Sequence, residues 1–366
     1  MLTRRSFIHL GGLSLLGAVS TRALSKTVSA SRPIRVAQLG VAHSHAAGKW
    51  ATLQRYPETF SCAGIWEPDA ALRVRAAAQP AYRNARWLTE SEVFGDGSID
   101  AALVETELPG LLGLGHRCLE SGWHLHLEKP PGANLKGLID LQDLAERKHL
   151  LLQPGYMFRY HPALTFCFAA IGRGLIGGIL SIQGDIGKVI GPEERPWLGE
   201  NYGGSMMLLG SHLLDLAIGI MGEPERTTTF RRKSLPTPDR FMDQELMVLQ
   251  YPRGLAAIRS FLSESGGEMR RQFVVYGEKG TIEILPLEPA HVRLALNAPA
   301  ENFRKGYQPV PLPAPVGRYD AMLLDFAAQA RGQPSQLAGF DARHDRLVQK
   351  ILLEAQVQSP STEVHS

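Results

Sequence analysis

Three stretches of the 366-residue chain combine side chains that could do chemistry. In YGGSMMLLGSHLLD (202–215), His212 and Asp215 are three apart and, on a helix, share a face with Leu208, four before His212. A histidine there could take a hydroxyl proton near neutral pH, or sit in the core bonded to Asp215. In HLHLEKPPG (124–132), Glu128-Lys129-Pro130 closes an apolar run. Lysine at the C-terminal end of a parallel strand could bond a substrate oxygen and lower a hydroxyl pKa, or be a solvated residue before a proline turn. In YMFRYHP (156–162), Arg159, Tyr160 and His161 suit a polyol or a carboxylate, or a polar domain junction.

A fourth stretch, LGVAHSHAAGKW (39–50), stands where a dinucleotide fingerprint would set three glycines. Their purpose is to let backbone amides and a helix N-terminus meet a pyrophosphate. Gly40 fills the first place; Ala42 and His45 stand at the second and third. Ala42 loses little clearance and His45 more, although His43 and His45 could donate to phosphate. Glu67 ends the next apolar run, 27 residues after Gly40 against roughly 20 in the usual spacing. A carboxylate there accepts ribose hydroxyls and repels a 2′-phosphate, which favours NAD over NADP. As a helix N-terminal acid it would be equally at home, with Asp69 as cap. The His-x-His pair could also join His212 or His161 around a metal, but no cysteine or carboxylate cluster accompanies it, and no metal is expected.

These residues need elements to position them. Continuous apolar runs at IRVAQLG, SCAGIWE, DAALVE, WHLHLEK and LLLQPG alternate with amphipathic helices over 45–56, 70–78, 111–121 and 135–148. That rhythm predicts a parallel, doubly wound sheet over residues 31–154. A helix over 162–172, strand ILSIQGDI and a helix over 205–221 follow, then strands TTTFRRK, QELMVLQY, LAAIRSFL, QFVVYG, GTIEIL and HVRLAL. Successive strands with short turns predict an α+β domain over 155–340 with an open, mostly antiparallel sheet. PVPLPAPVG (309–317) reads as an extended connector. Helices over 319–331 and 342–358 end the chain, the second forming a C-terminal segment over 341–366.

The first 30 residues read as an export signal. Arg4-Arg5 precedes an apolar run over 7–19, too short for a bilayer that needs about 20 residues. Ala30 is the expected cleavage site and Ala23 the second choice. The twin-arginine machinery carries folded proteins, often with a cofactor already bound, and would place this one in the periplasm without a permanent membrane span. The 39 basic residues include Arg4, Arg5, Arg22 and Lys26 in this segment, which holds no acid; beyond it stand 35 basic against 36 acidic residues. Composition therefore gives no case for nucleic acid. Cys62, Cys118 and Cys167 are an odd set, expected as buried thiols with room for one disulfide.

Taken together, the Leu39-Gly40 turn, His116 before SGWHLHLEKP, GYMFRYHP, GGSMMLLGSHLLD and VVYGEKGTIEI (274–284) resemble the glucose–fructose oxidoreductase / inositol dehydrogenase (Gfo/Idh/MocA) family. The resemblance implies a Rossmann domain followed by an open sheet whose exposed face makes a homo-oligomer. It implies a tightly held NAD or NADP contacted by Gly40, Glu67 and Lys129; on the reading of the residues themselves, Ala42, His43, His45 and Glu128 join the same cofactor site. Lys129 and His212 would be catalytic; Arg159, Tyr160 and Asp215 would serve the substrate, Asp215 mainly as structure. The implied activity is oxidation of a hydroxyl on a sugar, polyol or glycoside. The alternatives are redox-neutral, NAD-dependent glycoside cleavage or elimination, and a non-catalytic sugar-binding protein. Leu208 stands where the family has its catalytic Asp, so the active site is expected to be altered.

Overall fold

The computed structural model describes residues 28–29, 32–313 and 317–357. Nearly all of the expected export signal therefore lies outside the described residues. The first sheet is formed by β1 (Ile34–Leu39), β2 (Phe60–Trp66), β3 (Trp87–Leu88), β4 (Ala101–Val104), β5 (His124–Leu127) and β6 (Leu152–Pro154). Its order is β3-β2-β1-β4-β5-β6, every pairing parallel. Helices α1 (Ala46–Arg55), α2 (Ala70–Ala77), α3 (Glu90–Gly95), α4 (Leu108–Glu120) and α5 (Leu135–Arg147) alternate with the strands. All four residues of β4 and of β5 are buried, which is why their sequence runs apolar without alternation. The order reverses beside β1, so the β1–α1 and β4–α4 turns open the crevice where such sheets bind ligands.

The second sheet holds β7 (Ile179–Gly187), β8 (Arg226–Arg232), β9 (Gln244–Tyr251), β10 (Gly254–Phe261), β11 (Gln272–Gly277), β12 (Gly280–Ile284), β13 (Val292–Leu296) and β14 (Gly306–Val310). Its order is β14-β13-β12-β11-β7-β10-β9-β8, antiparallel except for the β7–β10 pair. Helix α6 (Pro162–Gly172) enters this domain, α7 (Arg195–Asn201) follows β7, and α8 (Ser211–Met221) packs on β7 and β10. The expected helix over 205–221 is in fact a π-helical segment, Met206–Gly210, running into α8. Gly222 ends α8 at φ +78, a conformation glycine reaches without a Cβ penalty.

The last helices, α9 (Asp320–Ala330) and α10 (Ala342–Val357), lean back on the first domain. Asp320 accepts from Thr52, Arg55 and Tyr56 at 3.2, 2.9 and 3.0 Å, and Gln349 donates to the Gly132 carbonyl at 2.6 Å. The two domains are thus clamped on both sides of the crevice. All three cysteines are free thiols, Cys118 and Cys167 buried. Among the described residues no helix is long and apolar enough to cross a membrane.

Candidate active site

The β1–α1 turn keeps what a dinucleotide needs. Gly40 has φ +89, and a Cβ there would lie 2.9 Å from the Thr106 amide, so the residue is fixed both by conformation and by the close β4–α4 turn. Glu67 accepts the Val41 and Asp69 amides at 3.0 and 2.9 Å, and each carboxylate oxygen retains room for a second donor. Asp69 caps α2 through the Ala71 and Leu72 amides. The amides of Ala42 and Ser44 have no hydrogen-bond partner among the described residues. His43 and His45 do not crowd the turn from outside; both rings fold inward to Glu128, with Nδ1 at 3.6 and 2.8 Å from Oε1. Nicotinamide dinucleotide therefore fits these residues: Gly40 and the free amides at the phosphates, Glu67 at the ribose.

Beneath the turn lies a network that the sequence did not reveal. Lys49 is fully buried and donates to Glu105 at 2.7 Å and to Glu128 at 2.5 Å, both fully buried. Burial pushes Glu105 up to about 8 against the pull of Lys49. Burial alone would lift Glu128 too, but His43, Lys49 and His45 hold it well below the usual carboxylate range. Burial would depress Lys49, yet the two carboxylates keep it raised. Glu128 also accepts the Lys129 amide at 2.7 Å. Its carboxylate thus pins Lys129, His45 and Lys49 from below rather than reaching into the crevice. His43, His45 and Glu128 lie close enough to chelate an ion, but the Lys49 ammonium already occupies the same Glu128 oxygen.

Lys129, at the end of β5, crosses the domain junction and donates to the Leu208 carbonyl at 2.8 Å. Leu208 lies within the π-helical segment, one turn before His212. Wide turns of this kind recur at functional sites. Here the main-chain oxygen of residue 208 holds Lys129, where the resemblance would have expected a carboxylate. Burial, and then the cations Lys188, Lys49 and Arg318, bring Lys129 down to about 8 against the pull of Glu128. Burial, then Lys129, keeps His212 neutral well below its ordinary value. Among the described residues His212 Nδ1 and the Tyr156 hydroxyl are both buried without a partner, and their rings lie 6.0 Å apart, edge to face. Burial and then Asp215 hold Tyr156 as a phenol, well above its ordinary value. Two neutral, unsatisfied polar groups and one lysine of shifted pKa thus meet where the domains meet.

Arg159, Tyr160 and Asp215 are placed differently. Arg159 pairs bidentately with Asp215, at 2.6–3.2 Å, and with Asp345 at 2.7 Å; His344 bonds Asp215 at 2.8 Å. Tyr160 donates to Asp325 at 2.8 Å and accepts from Gln153. Their polar atoms tie α8, α9 and α10 to the 156–162 segment and so set the depth of His212. His161 caps α6 through the Ala163 amide, and His116 is exposed on α4. Lys49, Glu105, Tyr156, His344 and Asp345 were not foreseen. A lysine on an amphipathic helix reads as solvated, and only the partner strand shows that it is not. The acid directly after the apolar run of β4 was the one available signal for Glu105.

Residues 168–283 match the GFO/IDH/MocA C-terminal domain. With the parallel, Rossmann-like first domain, this match agrees with the resemblance to the Gfo/Idh/MocA oxidoreductases. Trans-1,2-dihydrobenzene-1,2-diol dehydrogenase of Sus scrofa is 26% identical over 229 residues, 62% of this chain and 64% of that protein, so the match spans just under two thirds of the relative. Among solved structures, aldose-aldose oxidoreductase from Caulobacter crescentus superimposes at a TM-score of 0.74 with 20% identity, covering 89% of this chain and 98% of the other. UDP-N-acetylglucosamine 3-dehydrogenase from Acidithiobacillus ferrooxidans gives 0.71 with 19% identity, covering 90% and 98%.

Proposed function

We propose that the chain is an NAD(P)-dependent oxidoreductase acting on a hydroxyl of a sugar, polyol or glycoside. The observation that carries this reading is that Lys129 of the first domain donates at 2.8 Å to the carbonyl of Leu208, one turn before His212 in the second. Gly40, the Ala42 and Ser44 amides and Glu67 would hold the dinucleotide, which supplies the hydride acceptor when bound. Neutral His212 takes the hydroxyl proton. Protonated Lys129, whose pKa burial brings down to about 8, holds the oxygen as it becomes a carbonyl. The backbone carbonyl of residue 208 replaces a side-chain acid as the anchor of Lys129, so the site is altered yet complete in its proton handling. The named activities of the relatives, a diol dehydrogenase and a sugar-nucleotide dehydrogenase among them, support a vicinal hydroxyl as target. Incubation of purified protein with NAD or NADP and a panel of sugars and polyols tests this. Nicotinamide reduction that disappears in His212→Ala and Lys129→Met supports it; no reduction, with no dinucleotide binding, ends it.

Export to the periplasm through the twin-arginine route is part of the same proposal. Val28 is buried and its amide donates to the Ala330 carbonyl at 2.9 Å, which favours cleavage after Ala23 over cleavage after Ala30. N-terminal sequencing of the exported protein decides between them. Phe230, Leu246, Leu255 and Tyr276 stand exposed on the second sheet and support a homo-oligomer through that face.

A further inference from the structure

The helical segment that carries Leu208 and His212 is held at its start by side chains of the second sheet. Glu245 on β9 shares the helix-covered face of that strand with Met247 and Leu249, all buried. A carboxylate in such a row is costly unless its oxygens are paired. Oε2 accepts the Met206 amide at 2.5 Å and lies 3.2 Å from the Ser205 hydroxyl. Oε1 accepts Nε of Arg231, on β8, at 2.5 Å. Arg231 also donates to the carbonyls of Gln356, on α10, and Gly203, at 2.8 and 3.4 Å. Ser205 and Ser260, on β10, reach each other's carbonyls through their hydroxyls at 3.0 and 3.1 Å. Gly204 is what admits the carboxylate, because a Cβ there would collide with Oε2. The first amides of a helix have no partner within it, and Ser205 supplies no side-chain cap. Glu245 satisfies the Met206 amide from outside and sets a negative charge at the positive end of the helix. The far side of the segment is fixed as well, since Arg159 and His344 hold Asp215 on α8 at 2.9 and 2.8 Å. The π-helical turn Met206–Gly210, a rare and wide conformation, falls between these two anchors. At its middle, Leu208 gives its carbonyl to Lys129. Freed at Met206, the turn has room to relax to the narrower α form, which would carry the Leu208 carbonyl off Lys129 while Asp215 kept His212 in place.

We propose that Glu245 is a positioning residue for the reaction: anchored by Arg231, it holds the Met206 amide and thereby sets the wide turn that aims the Leu208 carbonyl at Lys129. The inference rests on the oxidoreductase reading for what Lys129 does, and it adds the residue that keeps Lys129 in place. The acid absent at residue 208 is thus answered from a neighbouring strand, by a carboxylate that acts on the backbone of the turn and not on the substrate.

The test compares the purified full-length parent with Arg231→Leu/Glu245→Leu and Arg231→Leu/Glu245→Gln. Both double variants remove the buried ion pair as a unit, so neither leaves a lone buried charge. They differ only in that the Gln side chain keeps an acceptor for the Met206 amide. The first readout is the titration of Lys129, followed by NMR of protein carrying isotope-labelled lysine, with Lys129→Met assigning the signal. A hydrogen bond to the charged form favours that form. Its loss in the Leu variant should lower the Lys129 midpoint from about 8 by roughly one pH unit, and the Gln variant should stay near the parent. The charged groups acting on Lys129, namely Glu128, Lys188, Lys49 and Arg318, are the same in all three proteins. The second readout is turnover. In the Leu variant kcat should fall about tenfold with KM nearly unchanged, and the Gln variant should recover it. Gly204→Ala keeps both charges and pushes the carboxylate off the turn; it repeats the test should the Leu variant not fold. Unchanged kcat in an active enzyme, a Lys129 midpoint common to all forms, or equal losses in the Leu and Gln variants overturns the proposal and marks Glu245 as structural, leaving the oxidoreductase reading untouched. A Lys129 midpoint that follows the acceptor in a protein that oxidises no hydroxyl keeps Glu245 as the residue that sets the turn and removes the oxidoreductase reading.

Discussion

Removing the ammonium of Lys49 tests whether the network under the turn is an ionic assembly. Lys49, Glu105 and Glu128 have fully buried side chains, and Lys49 bridges the two carboxylates at 2.7 and 2.5 Å. In Lys49→Met the thioether fills much of the space, but the carboxylates face each other without their cation. Breaking a buried ionic set by removing one partner costs about 3–5 kcal/mol, a large share of the roughly 5–15 kcal/mol that holds a fold together. At about 2–3 °C per kcal/mol for a large domain, Tm should fall by roughly 6–15 °C. The sign of the pH dependence follows from Glu105. Its folded pKa, about 8, is raised above the unfolded value of about 4.3. The folded chain therefore holds more protons between those values, and this group's contribution is lost as pH rises through that window. Without Lys49 the carboxylates keep protons to still higher pH, so the deficit is smallest near pH 5 and grows beyond pH 8. Lys49→Met/Glu105→Leu removes both buried partners, and Glu128 keeps His45 and the Lys129 amide; more than half of the lost stability should return. Calorimetric Tm values across pH measure all of this. A single variant within about 2 °C of the parent, or a double variant less stable than the single, would falsify the description of Lys49 as a shared counterion.

The remaining predictions concern the crevice. The pH profile of kcat/KM for hydroxyl oxidation should be flat through the region where an ordinary histidine titrates, because His212 stays neutral, and should fall above about 8 as Lys129 loses its proton; a limb near pH 6.5 would contradict the assignment. Tyr156→Phe deletes a buried hydroxyl without a partner, so Tm should hold or rise while kcat/KM falls roughly 10–100-fold; a loss of Tm with activity intact would mark a structural tyrosine. Gly40→Ala adds a Cβ 2.9 Å from the Thr106 amide at a φ of +89, and should weaken dinucleotide affinity by about tenfold or more, read by titration of nucleotide fluorescence.

Much of the fold was legible because the physics that forms it is local. Strands β4 and β5 are buried on both faces and so read as unbroken apolar runs, while β9 and β13 alternate. The elements missed have local reasons too. Strand β3 is two residues long, yet α3 after it carries a Thr89–Glu92 capping box that the sequence displays. Strand β14 contains Pro309, which is tolerated because β14 is the edge of its sheet; the reading of 309–317 as connector took in the last two residues of that strand, Pro309 and Val310. The π-helical segment left no signal, since a continuous apolar helix pattern does not report an i→i+5 turn.

The candidate site was less legible, because its meaning lies in pairings across the chain. Lys129 and His212 stand out by residue type. Arg159 and Asp215 look equally chemical in sequence, but 56 residues apart they close on one another and on Asp345. Lys49 and Glu105, 56 residues apart as well, carry no motif at all. Leu208 reads as a lost acid, and only the Lys129 contact shows that its carbonyl does the holding. His45 reads as an obstruction, and only the Glu128 contact shows the ring turned inward.

The central claim, a hydride-transfer site built on a dinucleotide turn, is tested most directly by the cofactor itself. Protein exported natively and purified without added nucleotide is denatured, and the released small molecules are identified by mass spectrometry. The account predicts nicotinamide dinucleotide in near-stoichiometric amount, or its saturable binding when NAD and NADP are added back, reduced sharply in Gly40→Ala. No released dinucleotide, and no binding of either form on addition, would contradict it.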